Sequence, residues 1–183
     1  MTRITTPVSK DELMRLNAGD QVYINGILYA ARDAAHKKMA EIIEEGGKLP
    51  FDPKGQIIYY VGPCPAKEGQ AIGSAGPTTS GRMDIYTPEL IYLGLAGMIG
   101  KGERSKEVKE AAKKNGCVYF GAVGGLGALI SKKIVSQEVI AFPELGTESL
   151  RKLVVNDFPA TVILDLHGEN LYEKGRRKYC ICN

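Results

Sequence analysis

The spacing of apolar residues changes repeatedly along the chain, and each change marks an element. Ser9-Lys-Asp-Glu12 has the pattern of a capping box and predicts a short helix, closed at Asn17-Ala-Gly19. In VYINGILYA, residues 22–30, two β-prone runs flank Asn25-Gly26, the pattern of a two-residue hairpin, because both turn residues tolerate positive φ. From Asp33 to Glu45, Ala35, Met39 and Ile42 recur at helical spacing and Gly46-Gly47 supplies the stop. Gln56 to Val61 is a continuous apolar run, a buried strand leading into the Gly62-Pro63-Cys64-Pro65 turn. Thr87-Pro88-Glu89 predicts an N-cap followed by proline at the first helical position, with the helix running to about Ala96.

Ser105 to Lys114 reads as a helix that stops at Asn115-Gly116. Cys117 to Phe120 is a short strand that enters a glycine-rich turn and a helix, GAVGGLGALISKK. Two further strands, Glu138 to Phe142 and Ala160 to Leu166, flank a helix-like segment from Thr147 to Leu153. Helices and strands alternate without a repeat period or a linker. The class is therefore α/β with at least one antiparallel hairpin, expected as one domain over residues 1–183.

Composition narrows the function classes. A formal net charge of +3 with scattered basic residues does not suggest a nucleic-acid surface. No apolar run approaches the ~20 residues of a membrane span, and MTRITTPVSKDEL lacks the apolar core of a signal peptide, so a cytoplasmic protein with no membrane contact is expected. The cysteines Cys64, Cys117, Cys180 and Cys182 form no CxxC pair and have no histidine at zinc spacing, which argues against a self-contained metal site. Cys180 and Cys182 read as features of the tail.

The glycines of 121–127 stand where a dinucleotide-binding loop would, but counting G-x-G from Gly125 puts the third glycine at Ile130. Close strand–helix packing explains them better. Anion sites are the better candidates. Arg32, Arg82 and Lys101 each fall at a predicted loop or element end beside small residues, where a guanidinium fork or an ammonium can hold a carboxylate. Taken alone, each reads better as a surface charge beside a loop. Lys101 also precedes a helix whose free N–H groups favour an anion. Thr78, Thr79 and Ser80 read alone as turn caps, but GPTTSGRMD (76–84) aims hydroxyls and the Arg82 guanidinium at one region. His36 is four residues from Arg32, on the same face if the helix begins at or before Arg32.

GPTTSGRMD, with Ala31-Arg-Asp-Ala-Ala-His36 before it and Ile99-Gly-Lys-Gly102 after it, resembles the C-terminal domain of class I fumarases. It is equally similar to the β subunit of L(+)-tartrate dehydratase, the other branch of these iron-sulfur hydro-lyases. VYFGAVGGLGALI, ELGTESL and DFPATVILDLHGENLY extend the resemblance over nearly the whole chain. It implies a swivelling β/β/α domain with a mixed sheet. It also implies the β subunit of a two-subunit fumarate hydratase acting on fumarate and (S)-malate, with tartrate dehydratase as the alternative; a rival reading from another class is a non-catalytic module that uses the same anion site for a dicarboxylate. The family's 4Fe-4S cluster would be held by a partner α subunit, and a homo-oligomer of αβ units is expected. Carried over motif by motif, Arg32, Arg82 and Lys101 would hold substrate carboxylates. Thr78 would be the candidate base, aided by an acidic residue from the partner half, with Thr79 beside it as a substrate contact, Lys101 as a second catalytic residue and His36 in the substrate pocket.

Overall fold

The computed structural model describes residues 2–180. Its strands are β1 (Thr2–Thr5), β2 (Gln21–Ala30), β3 (Ile57–Tyr59), β4 (Gly97–Gly100), β5 (Val118–Gly121), β6 (Ile134–Ala141) and β7 (Leu150–Leu164). The α-helices are α1 (Lys10–Leu13), α2 (Asp33–Glu44), α3 (Thr87–Tyr92), α4 (Lys106–Asn115), α5 (Gly127–Ser131) and α6 (Leu171–Tyr179). Ser80–Met83 and Pro143–Glu148 are 3-10 turns. None of these helices is long and apolar enough to cross a membrane.

The sheet is mixed and closes on itself. Strands β2, β3, β4 and β5 run parallel to one another, and β7 pairs antiparallel with both β5 and β2, completing a five-stranded barrel. β1 is added parallel to β2, and β6 antiparallel to the first half of β7. Alternation along the strands divides the apolar residues into two cores, as a period-2 backbone requires. Ile57, Tyr59, Ile99, Val118 and Phe120 join one cluster with Leu153, Phe158 and Val162. Ile58, Tyr60, Met98 and Tyr119 join the other, with Met39 of α2, Leu90 of α3 and Val108 of α4. The second core is therefore the layer between the barrel and its helices.

Local signals fix several ends. Ser9 and Glu12 form both halves of the capping box. Ser105 accepts a hydrogen bond from the Val108 N–H at the start of α4, and Gly116 ends that helix in the left-handed conformation. The glycine-rich turn is structural, as its failed spacing suggests: a Cβ on Gly127 would lie 2.7 Å from the Gly76 nitrogen and 2.5 Å from Ser74 Oγ.

Other expectations are overturned. Asn25-Gly26 makes no hairpin, because β2 continues through it. The β2–β7 register shifts between Ile24 and Gly26, Gly26 has φ +93° and Asp157 opposite has φ 49°, so the positive-φ residues form a β-bulge. The Asn25 side chain accepts from the Asp157 N–H. The antiparallel connection lies instead between β6 and β7. Thr147 to Leu153 is not helical: residues up to Glu148 finish a 3-10 turn and β7 begins at Leu150, where burial of Leu150 and Leu153 in the two cores outweighs local preference. Thr87 does not cap α3. It lies within the helix and its hydroxyl donates to the Met83 carbonyl, and the helix ends at Tyr92 before Gly94. Cys182 lies outside the described residues.

Candidate functional site

Four parallel strands end on one rim of the barrel, and the candidate residues follow those ends. Arg32 comes two residues after β2, the Tyr60 to Gly62 segment follows β3, Lys101 follows β4, and the glycine turn follows β5. Ligands of α/β sheets commonly bind outside the carboxyl ends of parallel strands. GPTTSGRMD is laid across this rim by its backbone. The Thr78 N–H donates to the Tyr60 carbonyl (2.7 Å), the Lys101 N–H donates to the Thr78 carbonyl (3.3 Å), and the Ser80 N–H donates to the Lys101 carbonyl (2.8 Å). Thr79 and Lys101 thus pair as a short parallel bridge.

The three hydroxyls then divide. Ser80 is buried, and its Oγ lies 2.9 Å from the Tyr119 hydroxyl, which donates to the Gly102 carbonyl. A Cβ on Gly100 would lie 2.0 Å from Ser80 Oγ, so the glycine in β4 is what lets this hydroxyl in. Thr78 is half-buried and Thr79 exposed. Thr79 stands at the N-cap position of the 3-10 turn without capping it, so its side chain is free for a ligand.

Each arginine is held by a carboxylate of this chain. Arg32 Nη2 donates to Glu148 Oε1 at 2.6 Å, and Arg82 Nε donates to Asp33 Oδ1 at 2.8 Å. Arg82 remains 53% exposed at its side chain and Arg32 28%. One bond to each leaves most of the five guanidinium N–H donors for another acceptor. Arg32 Nε is buried without a partner among the described residues. A Cβ on Gly62 would come within 2.9 Å of the Arg32 guanidinium, so that glycine makes room for it. Lys101 has no carboxylate partner among the described residues. Its amine lies over Gly124 of the glycine turn, 3.7 Å from where a Cβ would stand. It is therefore not at the N-terminus of α4, whose Val108 N–H Ser105 already occupies.

His36 occupies a different environment from the rest. It is fully buried on α2, packs edge-on against the Tyr60 ring and donates from Nδ1 to the Arg32 carbonyl at 3.0 Å. Burial lowers its pKa to about 4, so the ring is neutral near pH 7 and supports Arg32 from behind. It has no exposed surface through which to touch a ligand in this conformation.

Behind the rim is a residue that sequence reasoning passes over. Arg104 is buried, with Nε 2.7 Å from Asp84 Oδ1, Nη2 donating to Thr87 Oγ1 and Nη1 donating to the Tyr60 hydroxyl. Its guanidinium also lies over the rings of Tyr60 and Tyr119. Asp84 Oδ2 accepts the Ser105 N–H. This network fastens the end of GPTTSGRMD to the segment that follows Lys101. The only sequence signal for it is the Asp84 that closes the motif.

An apolar cleft of about 470 Å3 lies elsewhere, between the end of α2 and residues 48–54, and none of the candidate residues line it. Among the described residues, no three His, Cys, Asp or Glu side chains gather where they could hold a metal ion. Cys117 is buried, with its thiol pushed up to about 12, a poor source of thiolate. These residues do not fit an iron-sulfur cluster.

The family model described as the fumarase C-terminus matches residues 2–175. The chain belongs to the fumarase C-terminal family. Among its relatives in this family, fumarate hydratase 2 of Leishmania major is 42% identical over 172 residues, covering 92% of this chain and 30% of its own length. The class I aerobic fumarate hydratase of Escherichia coli K12 is 39% identical over 171 residues, 92% of this chain and 31% of that protein. A protein of Methanocaldococcus jannaschii, provisionally named L(+)-tartrate dehydratase subunit beta, is 38% identical over 177 residues. That alignment covers 93% of this chain and 91% of the relative. The chain thus spans less than a third of the fumarate hydratases it matches, and nearly all of the β subunit.

Proposed function

We propose that this chain is the β subunit of a two-subunit hydro-lyase, a catalytic domain that supplies one wall of a site for a four-carbon dicarboxylate, with fumarate and (S)-malate as the substrate pair. The observation that carries this reading is the meeting of Arg32, GPTTSGRMD and Lys101 at one rim of the barrel. A separate partner is supported by the relative from Methanocaldococcus jannaschii, whose provisional name makes it one subunit of a dehydratase. The iron-sulfur cluster of the family belongs on that partner, since among the described residues no cysteines gather to hold one.

The chemistry asked of these residues is binding and charge stabilisation. Arg32 and Arg82 hold substrate carboxylates through the donors left by Glu148 and Asp33. Lys101, with no carboxylate partner, supplies the uncompensated positive charge. Removing the proton next to a carboxylate builds negative charge on a group that is already anionic. The Lys101 charge fixed at that point binds the transition state more strongly than the ground state, while Arg32 holds a carboxylate alike in both. Thr78 is the candidate base. Its backbone is fixed on both sides and its hydroxyl has no hydrogen-bond partner among the described residues; an acidic residue of the partner half would take the hydroxyl proton, and the neighbouring cations lower the cost of the alkoxide left behind. Thr79 is a substrate contact, and His36 serves by holding the Arg32 backbone.

Tartrate dehydratase is the second reading, favoured by the end-to-end match to the provisionally named β subunit. Coexpression with the cluster-bearing partner, followed by anaerobic assay on malate and on L-tartrate, separates the two. The expected result is a kcat/KM for malate well above that for L-tartrate. A preference for L-tartrate overturns the choice of substrate, and turnover of neither overturns the hydro-lyase assignment.

A further inference from the structure

The connection between β6 and β7 carries ELGTESL, the segment that contains Glu148, the carboxylate paired with Arg32. Phe142 enters it at φ 57° and Gly146 turns at φ 58°. The Gly146 carbonyl accepts from Ser149 Oγ at 2.8 Å and from Arg151 Nη2 at 2.8 Å, which fixes the turn from inside. Lys38 of α2 pairs with Glu144 and lies over the Phe142 ring, which fixes it from outside.

The result is the delivery of one side chain. Glu148 reaches α2 with both oxygens: Oε1 accepts from Arg32 Nη2 at 2.6 Å, and Oε2 accepts from the Ala34 N–H at 3.1 Å. Helix α2 has Arg32 at its N-cap position, and the Arg32 side chain carries no acceptor for the N–H groups of the first turn. Glu148 does that from a loop more than a hundred residues away, adding negative charge at the positive end of the helix. One carboxylate therefore fixes the start of α2 and the direction of the guanidinium that leaves it.

We infer that Glu148 is a positioning residue for Arg32, holding one edge of its guanidinium so that the remaining N–H donors face the dicarboxylate site. This rests on the β-subunit reading above only for the identity of the ligand. The alternative is a loop staple that happens to touch an arginine. The two differ in what Glu148→Gln does. The amide oxygen still accepts the Ala34 N–H, so the cap survives, but the charge-assisted bond to Arg32 is lost.

Two measurements test this. In the full chain alone, hydrogen exchange of the Arg32 side-chain N–H groups is followed by nitrogen-15 NMR, with Arg82 as internal control. Glu148→Gln is expected to speed exchange at Arg32 at least about tenfold, equivalent to about 1.4 kcal/mol, leave Arg82 unchanged, and keep the wild-type melting temperature to within ~2 °C. In the assembled enzyme, the same variant is expected to raise KM for the dicarboxylate roughly tenfold while kcat changes less than about threefold, the pattern of lost uniform binding. Glu148→Asp, too short to reach both partners, is expected to fail in the same direction. Unchanged exchange at Arg32 overturns the proposal, as does loosened exchange with an unchanged KM. Should the assembled wild type turn over neither malate nor L-tartrate, the hydro-lyase reading falls, and the exchange measurement decides alone whether Glu148 orders Arg32.

Discussion

His36 shows how one residue's surroundings decide its role. A histidine four places after an arginine reads as a possible partner at the site, yet burial keeps the ring neutral and its Nδ1 proton on the Arg32 carbonyl. The consequence for stability has a definite sign. The folded pKa of about 4 lies below the ordinary 6.5, so between these values the unfolded chain takes up a proton that the folded chain refuses. Stability is lost as pH falls through that window, by roughly 1 kcal/mol between about pH 7 and pH 5.5 from this group. His36→Asn places an amide near the Nδ1 position, can still donate to Arg32 and does not titrate. Urea unfolding at the two pH values is expected to show a smaller difference in the variant. Equal differences in the two proteins would mean His36 titrates normally. Residues of this kind were only partly legible in the sequence: the i, i+4 spacing put Arg32 and His36 together, but the depth of His36 depends on Tyr60 arriving from another strand.

At the scale of elements, the capping signals at Ser9 and Ser105 were legible because a few consecutive residues decide a helix end. The long strand β7 was not. Pro159 interrupts its pattern, and the ladders beside it are divided: the pairing with β6 ends at Val155 and that with β5 begins at Thr161, so the proline falls between them. β4, Gly-Met-Ile-Gly, escaped for a related reason, since its glycines are there to admit Phe120 and Ser80 rather than to turn the chain. No local signal marks Arg104 for burial, because long charged residues are seldom buried. Its burial with Asp84, Tyr60 and Thr87 ties α3, α4 and the 3-10 turn at Ser80–Met83 together. Arg104→Met leaves Asp84 without its ion partner in a part-buried position. The expected cost is about 3 kcal/mol or more, with hydrogen exchange across residues 78–86 accelerated beyond the rest of the chain. A variant of wild-type stability would show that the network adds no net stability.

The whole molecule is a closed barrel whose parallel strands end on one rim, and that arrangement turns three scattered motifs into one cationic surface. Arg32, Thr78 to Arg82, and Lys101 could be linked from the sequence through family resemblance. Their own-chain partners Glu148 and Asp33 could not, because a carboxylate's direction is set by tertiary packing. The two ion pairs alter the electrostatic account: the arginines are held and partly neutralised, and the charge left over sits on Lys101. The central claim is that this rim binds a dicarboxylate in an enzyme completed by a partner chain. Its most direct test is the initial rate of malate dehydration by the coexpressed complex carrying Arg82→Lys, with subunit association followed by gel filtration. Lysine keeps the charge but not the guanidinium fork. The expected result is an intact complex whose kcat/KM falls by a factor equivalent to ~2–4 kcal/mol. Wild-type turnover in that complex would remove Arg82 from the site and contradict the account.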